Sequence, residues 1–108
     1  MTKINIFKSD NVYKGFECTD HAGFARKGKD IVCASISVLT INTINSIEKF
    51  TDDSFDLDTD EKKGHIRFDL KNAPSEKTEV LLDSMVSGLS DIATQYGDRY
   101  LHLEFEEV

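Results

Sequence analysis

Apolar and polar residues alternate through Met1-Thr2-Lys3-Ile4-Asn5-Ile6-Phe7, and the period of two predicts a strand over Ile4 to Phe7. A second strand follows over Val12 to Thr19, with Phe16 and Cys18 on one face, after a turn at Ser9-Asp10-Asn11. The period then changes. From near Asp30 to about Phe50 there is no Gly or Pro, and Ile31, Val32, Ala34, Ile36, Val38, Leu39, Ile41, Ile44 and Ile47 make a wide apolar surface. Several of these are β-branched and would suit a strand, but the length decides for a helix. A helix apolar on more than one side must lie between a sheet and another helix, or be buried in a dimer.

After a turn at Asp52-Asp53-Ser54, alternation resumes in two strands, Phe55 to Thr59 and His65 to Leu70. They are joined by Asp60-Glu61-Lys62-Lys63-Gly64, and each is expected to have one buried and one wet face. A second helix starts after Pro74 and Ser75 and ends before Gly97, with Leu82, Met85, Leu89, Ile92 and Tyr96 as one core stripe. Leu101, Leu103 and Phe105 make a last strand, leaving Glu104, Glu106 and Glu107 to water. The order β-β-α-β-β-α-β predicts a single α+β domain over 1–108, a mixed or antiparallel sheet with two main helices.

Composition narrows the function classes. The chain has 108 residues, 39% hydrophobic and 31% charged, which is one ordinary globular core. Its net charge of −7 argues against a direct grip on nucleic acid and suits a basic peptide or protein partner. No signal peptide is evident, and no apolar run reaches the roughly 20 residues that span a bilayer, so a cytoplasmic protein without membrane contact is expected. Cys18 and Cys33 are then expected as reduced thiols. The three histidines and two cysteines lack metal-site spacing, and no phosphate-binding glycine loop occurs, so neither metal nor cofactor is expected.

The chemistry concentrates between the second strand and the first helix. His21 falls at or just beyond the strand's end, where its ring can face a cleft. A loop from Ala22 to Lys29, hinged by Gly23 and Gly28, leads to Asp30, a favoured N-cap type. Cys33 then falls in the first helical turn, where unpaired amides and the helix dipole favour a thiolate. Arg26, Lys27 and Lys29 add positive charge nearby, and Asp30 opposes it. His21 is the candidate base for Cys33, the first-turn amides are a candidate oxyanion site, and the loop can close over a substrate. The plain alternative is a small buried Cys and an incidental His.

These residues carry a resemblance. The run His21-Ala22, Gly28, Asp30-Ile31-Val32-Cys33-Ala34 and Ser37 resembles the signature of the ribosomal-processing cysteine protease family, Prp, and the length and element order are similar as well. The resemblance implies a cysteine endopeptidase that trims a short N-terminal extension from a large-subunit ribosomal protein (number twenty-seven), after an aromatic pair. By position it implies Cys33 as nucleophile, His21 as general base, Asp30 and Ser37 in support, and Ala22, Gly23 and Gly28 in a loop over the substrate. It also implies a homodimer, in keeping with the broad apolar surface of the first helix. Two departures stand out. Asp20 replaces the usual glycine before the histidine, where its carboxylate favours charged His21 and holds the ring. The loop is also strongly basic, which supports a thiolate and repels a very basic peptide.

Cys18 reads as a packed strand residue, with a Cys18–Cys33 redox pair as the alternative. Ser37, one turn after Cys33, either bonds to the loop or substrate or bonds back to the Cys33 carbonyl. His65 and His102 read as surface residues, and the carboxylates Asp52, Asp53, Asp56, Asp58, Asp60 and Glu61 as a solvated face that could dock basic ribosomal protein segments. The competing functional class is a non-enzymatic interaction module that binds a ribosomal protein or assembly partner, its Cys inert.

Overall fold

The computed structural model describes residues 1–19 and 31–108. Strands β1 (Thr2–Ser9) and β2 (Val12–Thr19) precede helix α1 (Ile31–Phe50), then β3 (Phe55–Asp60), β4 (His65–Leu70), helix α2 (Glu76–Tyr96) and β5 (Leu101–Glu107). The strands form one sheet in the order β3-β4-β2-β1-β5. Only β1 and β5 run parallel; the other neighbours are antiparallel, so the sheet is mixed. This is the α+β arrangement expected from the alternation.

Local chemistry explains the boundaries. Asp10 and Asn11 turn β1 into β2 at φ 51° and 67°, a left-handed pair that these residue types tolerate. Ser75 caps α2: its hydroxyl accepts from the Thr78 amide and donates to Asp53 at 2.7 Å, and the Ser75 amide donates to the same carboxylate oxygen at 2.9 Å. Asp53 is therefore not one of a solvated row. It ties the end of the α1–β3 connection to the start of α2. At the far end Gly97 takes φ 92°, where a side chain would be strained.

Side chains from one sheet face (Ile4, Ile6, Phe16, Phe68 and Leu101) form a single core with Val32, Ile36, Ile44 and Ile47 of α1 and Leu82, Met85 and Leu89 of α2. Phe16 lies opposite Phe68 across β2 and β4, their rings stacked at 5.2 Å. Among the described residues the other sheet face carries charged side chains and no helix. There His65 meets Glu17 at 2.9 Å, His102 meets Glu104 at 2.9 Å, and the Arg67 guanidinium lies 4.3 Å over the Phe7 ring. The two histidines are thus half-buried partners of glutamates.

Two expectations fail. Leu57 and Phe105, placed by alternation on buried faces, are 47% and 57% exposed. They belong to β3 and β5, the two edges of the sheet, which the helix layer does not fully cover. The expectation about bilayer-length runs also needs correcting. By length and composition alone α1, with its 20 residues, is long and apolar enough to cross a membrane. In this fold its Val32, Ile36, Ile44 and Ile47 fill the core instead, the sandwich role its apolar breadth predicts.

Candidate active site

Cys33 is the third residue of α1 and is half-buried at its start. Val32 and Ile36 beside it turn fully inward and fix the rotation of this turn, which leaves Cys33 at the rim of the core. Along the same side of the helix follow Ser37, Ile41, Ile44 and Asn45, at offsets of four, eight, eleven and twelve residues from Cys33. Such offsets stack on one face. This face forms one wall of an open groove of about 990 Å³. The facing wall is Leu57 and Thr59 of β3 and His65 and Ile66 of β4, with the turn from Asp60 to Lys62 at its lip. Thr2 and Cys18 reach the groove from β1 and β2.

Cys33 therefore satisfies two requirements of a nucleophile on geometry alone: it occupies a helix start, and it opens onto a cleft large enough for a peptide. Cys18 opens onto the same groove but is only 5% exposed and belongs to the core cluster, as expected for a packed strand residue. Neither is joined in a disulfide. Ser37 lines the groove one turn from Cys33, and among the described residues its hydroxyl does not bond back to the Cys33 carbonyl. Ser35, Thr40 and Thr43 do make such bonds to carbonyls four residues earlier, at 2.7–2.9 Å. The Ser37 hydroxyl is thus left facing the groove.

His21, Asp20, Asp30, Ala22, Gly23 and Gly28 lie outside the described residues. The described ends of their segment bear on the groove all the same, since Cys18 just before it and Cys33 just after it both line the cavity. Among the described residues no group of three His, Cys, Asp or Glu side chains is placed to hold a metal ion. The sequence did not point to the groove's far wall. Leu57 read as core because alternation assigns a face and does not report how far the helix layer extends. The acidic lip read as a solvated turn. Part of it is structural, because Asp60 Oδ1 accepts from the Lys63 amide at 3.3 Å.

Known proteins place this arrangement. The family model for the cysteine protease Prp matches residues 1–101. The ribosomal processing cysteine protease Prp of Bacillus subtilis is 29% identical over 87 residues, covering 77% of this chain and 78% of that protein. Among solved structures, the essential ribosomal processing protease Prp from S. aureus, in complex with a covalently linked product peptide, superposes with a TM-score of 0.93 at 23% identity. It covers 98% of this chain and 100% of its own. A Streptococcus mutans protein superposes with a TM-score of 0.87 at 26% identity, over 100% of this chain and 96% of that one. The matched span includes every wall of the groove and the segment from His21 to Cys33. The half-buried thiol at the start of α1 is accordingly a feature of a peptidase scaffold, and the chain belongs to the cysteine protease Prp family.

Proposed function

We propose that residues 1–108 act as one Prp domain that removes a short N-terminal extension from a large-subunit ribosomal protein during ribosome maturation. The observation that carries this reading is Cys33 in the first turn of α1, on the wall of a groove of about 990 Å³. In the reaction the Cys33 thiolate attacks the scissile carbonyl carbon, and His21 takes the thiol proton. Amides of the first turn hold the oxyanion, and the helix dipole supports the same charge. The intermediate collapses, His21 returns the proton to the leaving amine, and the extension stays on Cys33 as a thioester. Water, activated by His21, then releases it as a carboxylate and restores the thiol.

In this reading Asp30, Asp20 and Ser37 are supporting residues, and Ala22, Gly23 and Gly28 are the positions assigned to substrate. The bacterial cytoplasm supplies that substrate, and no contact with nucleic acid or membrane is required. Ile31 and Val38, exposed apolar residues seven positions apart on one side of α1, give a second copy a surface to cover, and the proposal includes a homodimer. Intact mass of the full-length ribosomal protein precursor, after incubation with wild type or Cys33→Ala, tests the activity. One N-terminal trim by wild type alone is the expected result. Equal trimming by both proteins would remove Cys33 from the chemistry.

A further inference from the structure

Cys18 borders the same groove as Cys33, yet the mechanism proposed above gives it no part. Topology explains how two elements bring both thiols to one cavity. Cys18, Ile66 and Thr59 stand in one row across β2, β4 and β3, near the end of the sheet where β3 finishes. Helix α1 reaches β3 through the short connection 51–54, so its last turn lies near the start of β3. The helix is about 30 Å long, and its first turn therefore lies toward the other end, over that row. Cys33 and all three residues of the row border the groove. Cys33 also packs against the core cluster to which Cys18 belongs.

The two thiols differ in access. Cys33 is half-buried at the rim, whereas Cys18 is 5% exposed and shielded from reagents in bulk water. An oxidant that enters the cleft meets Cys33 first. Resting on the peptidase reading above, we propose that Cys18 is a resolving thiol: it captures peroxide-oxidised Cys33 as a Cys18–Cys33 disulfide and so switches the peptidase off reversibly. In the first step the Cys33 thiolate attacks hydrogen peroxide. The O–O bond breaks, the sulfur takes one hydroxyl group, and the other leaves as hydroxide. The Cys18 sulfur then attacks the Cys33 sulfur. The S–S bond forms, the S–O bond breaks, and the thiol proton departs with the hydroxyl group as water.

Cys18 is held from both sides, paired with Ile4 of β1 and Ile66 of β4, so the helix supplies the movement. The first turn of a helix has amides without intrahelical acceptors, and helix ends open most easily. A disulfide needs Cα atoms about 4.4–6.8 Å apart, and one closed by shifting a helix end carries strain and is readily reduced. Capture by Cys18 also forestalls oxidation of Cys33 to the sulfinic acid, which thiols do not reverse.

The test treats the reduced 108-residue protein, freed of reductant, with a small excess of hydrogen peroxide. Intact mass and peptide mapping then read the product. A monomer lighter by two hydrogens, with the Cys18 and Cys33 peptides joined, is expected, and dithiothreitol restores both thiols. In Cys18→Ala and Cys18→Val, two fillings of one buried site, Cys33 gains oxygen atoms instead and dithiothreitol does not recover it. Wild type in which Cys33 gains oxygen while Cys18 stays a thiol overturns the proposal. A Cys33–Cys33 link between two chains overturns it too, as does a mass that peroxide leaves unchanged. The mapping needs no substrate, so it stands apart from the peptidase reading. Cleavage of the ribosomal protein precursor is read before peroxide, after it, and after dithiothreitol, with loss and then recovery expected in wild type. Linked protein that still cuts at the full rate overturns the switch. Reduced protein that cuts nothing but forms the link removes the peptidase reading and leaves the resolving thiol standing.

Discussion

Adding one methyl group at Gly15 and at Gly88 is the same chemical change with opposite expected outcomes, because the methyl meets different neighbours. At Gly15, in β2, an added Cβ would lie 2.1 Å from the Phe68 carbonyl oxygen and 3.1 Å from the Asp69 Cα of β4. Ordinary carbon–oxygen contacts begin near 3.3 Å, so β2 and β4 would have to part by about 1 Å. Backbone cannot yield as a side chain does. The cost combines overpacking, about 1–3 kcal/mol or more, with one or two weakened ladder bonds at about 1 kcal/mol each. Gly15→Ala should therefore lose about 2–5 kcal/mol of a total near 5–15 kcal/mol. At Gly88, in α2, the new Cβ would meet Leu39 Cδ1 at 2.9 Å, the far end of a flexible side chain on α1. Moving that side chain off its rotamer costs about 0.5–1.5 kcal/mol. Replacing a helical glycine by alanine returns about 0.5–1 kcal/mol, so the net lies within about 1 kcal/mol of zero. Urea unfolding followed by circular dichroism reads both. With a slope near 2 kcal/mol per molar, Gly15→Ala should move the midpoint down by about 1–2.5 M and Gly88→Ala by less than about 0.5 M. Comparable shifts in the two variants, or a larger loss at Gly88, would refute the packing argument.

Brief treatment of the native protein with iodoacetamide should add one group, at Cys33, and denatured protein should take two, because Cys18 is 5% exposed; equal native labelling on peptide maps would contradict its burial. Asp53→Asn should cost about 1 kcal/mol at pH 7 in urea melts. The Thr78 hydroxyl, and then the Ser75 amide, hold the Asp53 carboxyl below its ordinary value. A depressed carboxyl stabilises the fold above the ordinary range near pH 4 and stops doing so as pH falls through its folded value, so the gap from wild type should shrink in acid. Burial, and then the hydroxyl's bond to Asp83, raise the Tyr13 phenol above its ordinary value. That contribution is complete below about pH 10 and is lost as pH rises beyond it, so Tyr13→Phe should flatten the alkaline end of the stability curve. Leu89→Ala, at a fully buried position, should cost about 2–5 kcal/mol in the same melts.

The elements whose signals are local were legible in the sequence. Strands β2 and β4 fall where alternation put them, and α2 runs between Ser75 and Gly97, each of which carries its own capping chemistry. Cys33 was legible for the same reason: a helix start and a thiol three residues into it are both local. Asp53 was not. Its partner Ser75 is 22 residues away, and nothing in a row of aspartates marks the one that a distant amide will claim.

Leu57 and Phe105 failed for a reason that bears on function. Alternation reports which side of a sheet a residue faces, and it was correct in that respect for both. Whether that side is covered depends on the breadth of the helix layer. Five strands about 4.8 Å apart place their outer axes about 19 Å from one another, whereas two packed helices have axes only about 8–10 Å apart. Each edge strand then lies about 5 Å beyond the nearest helix axis, at the limit of side-chain cover. At the β5 edge the result is an exposed Phe105. At the β3 edge the uncovered strip runs beside α1, the helix that carries Cys33 in its first turn, and the shortfall becomes the groove. A third helix over β3 would have buried Leu57 as alternation implied, and would have left the thiol without a cleft.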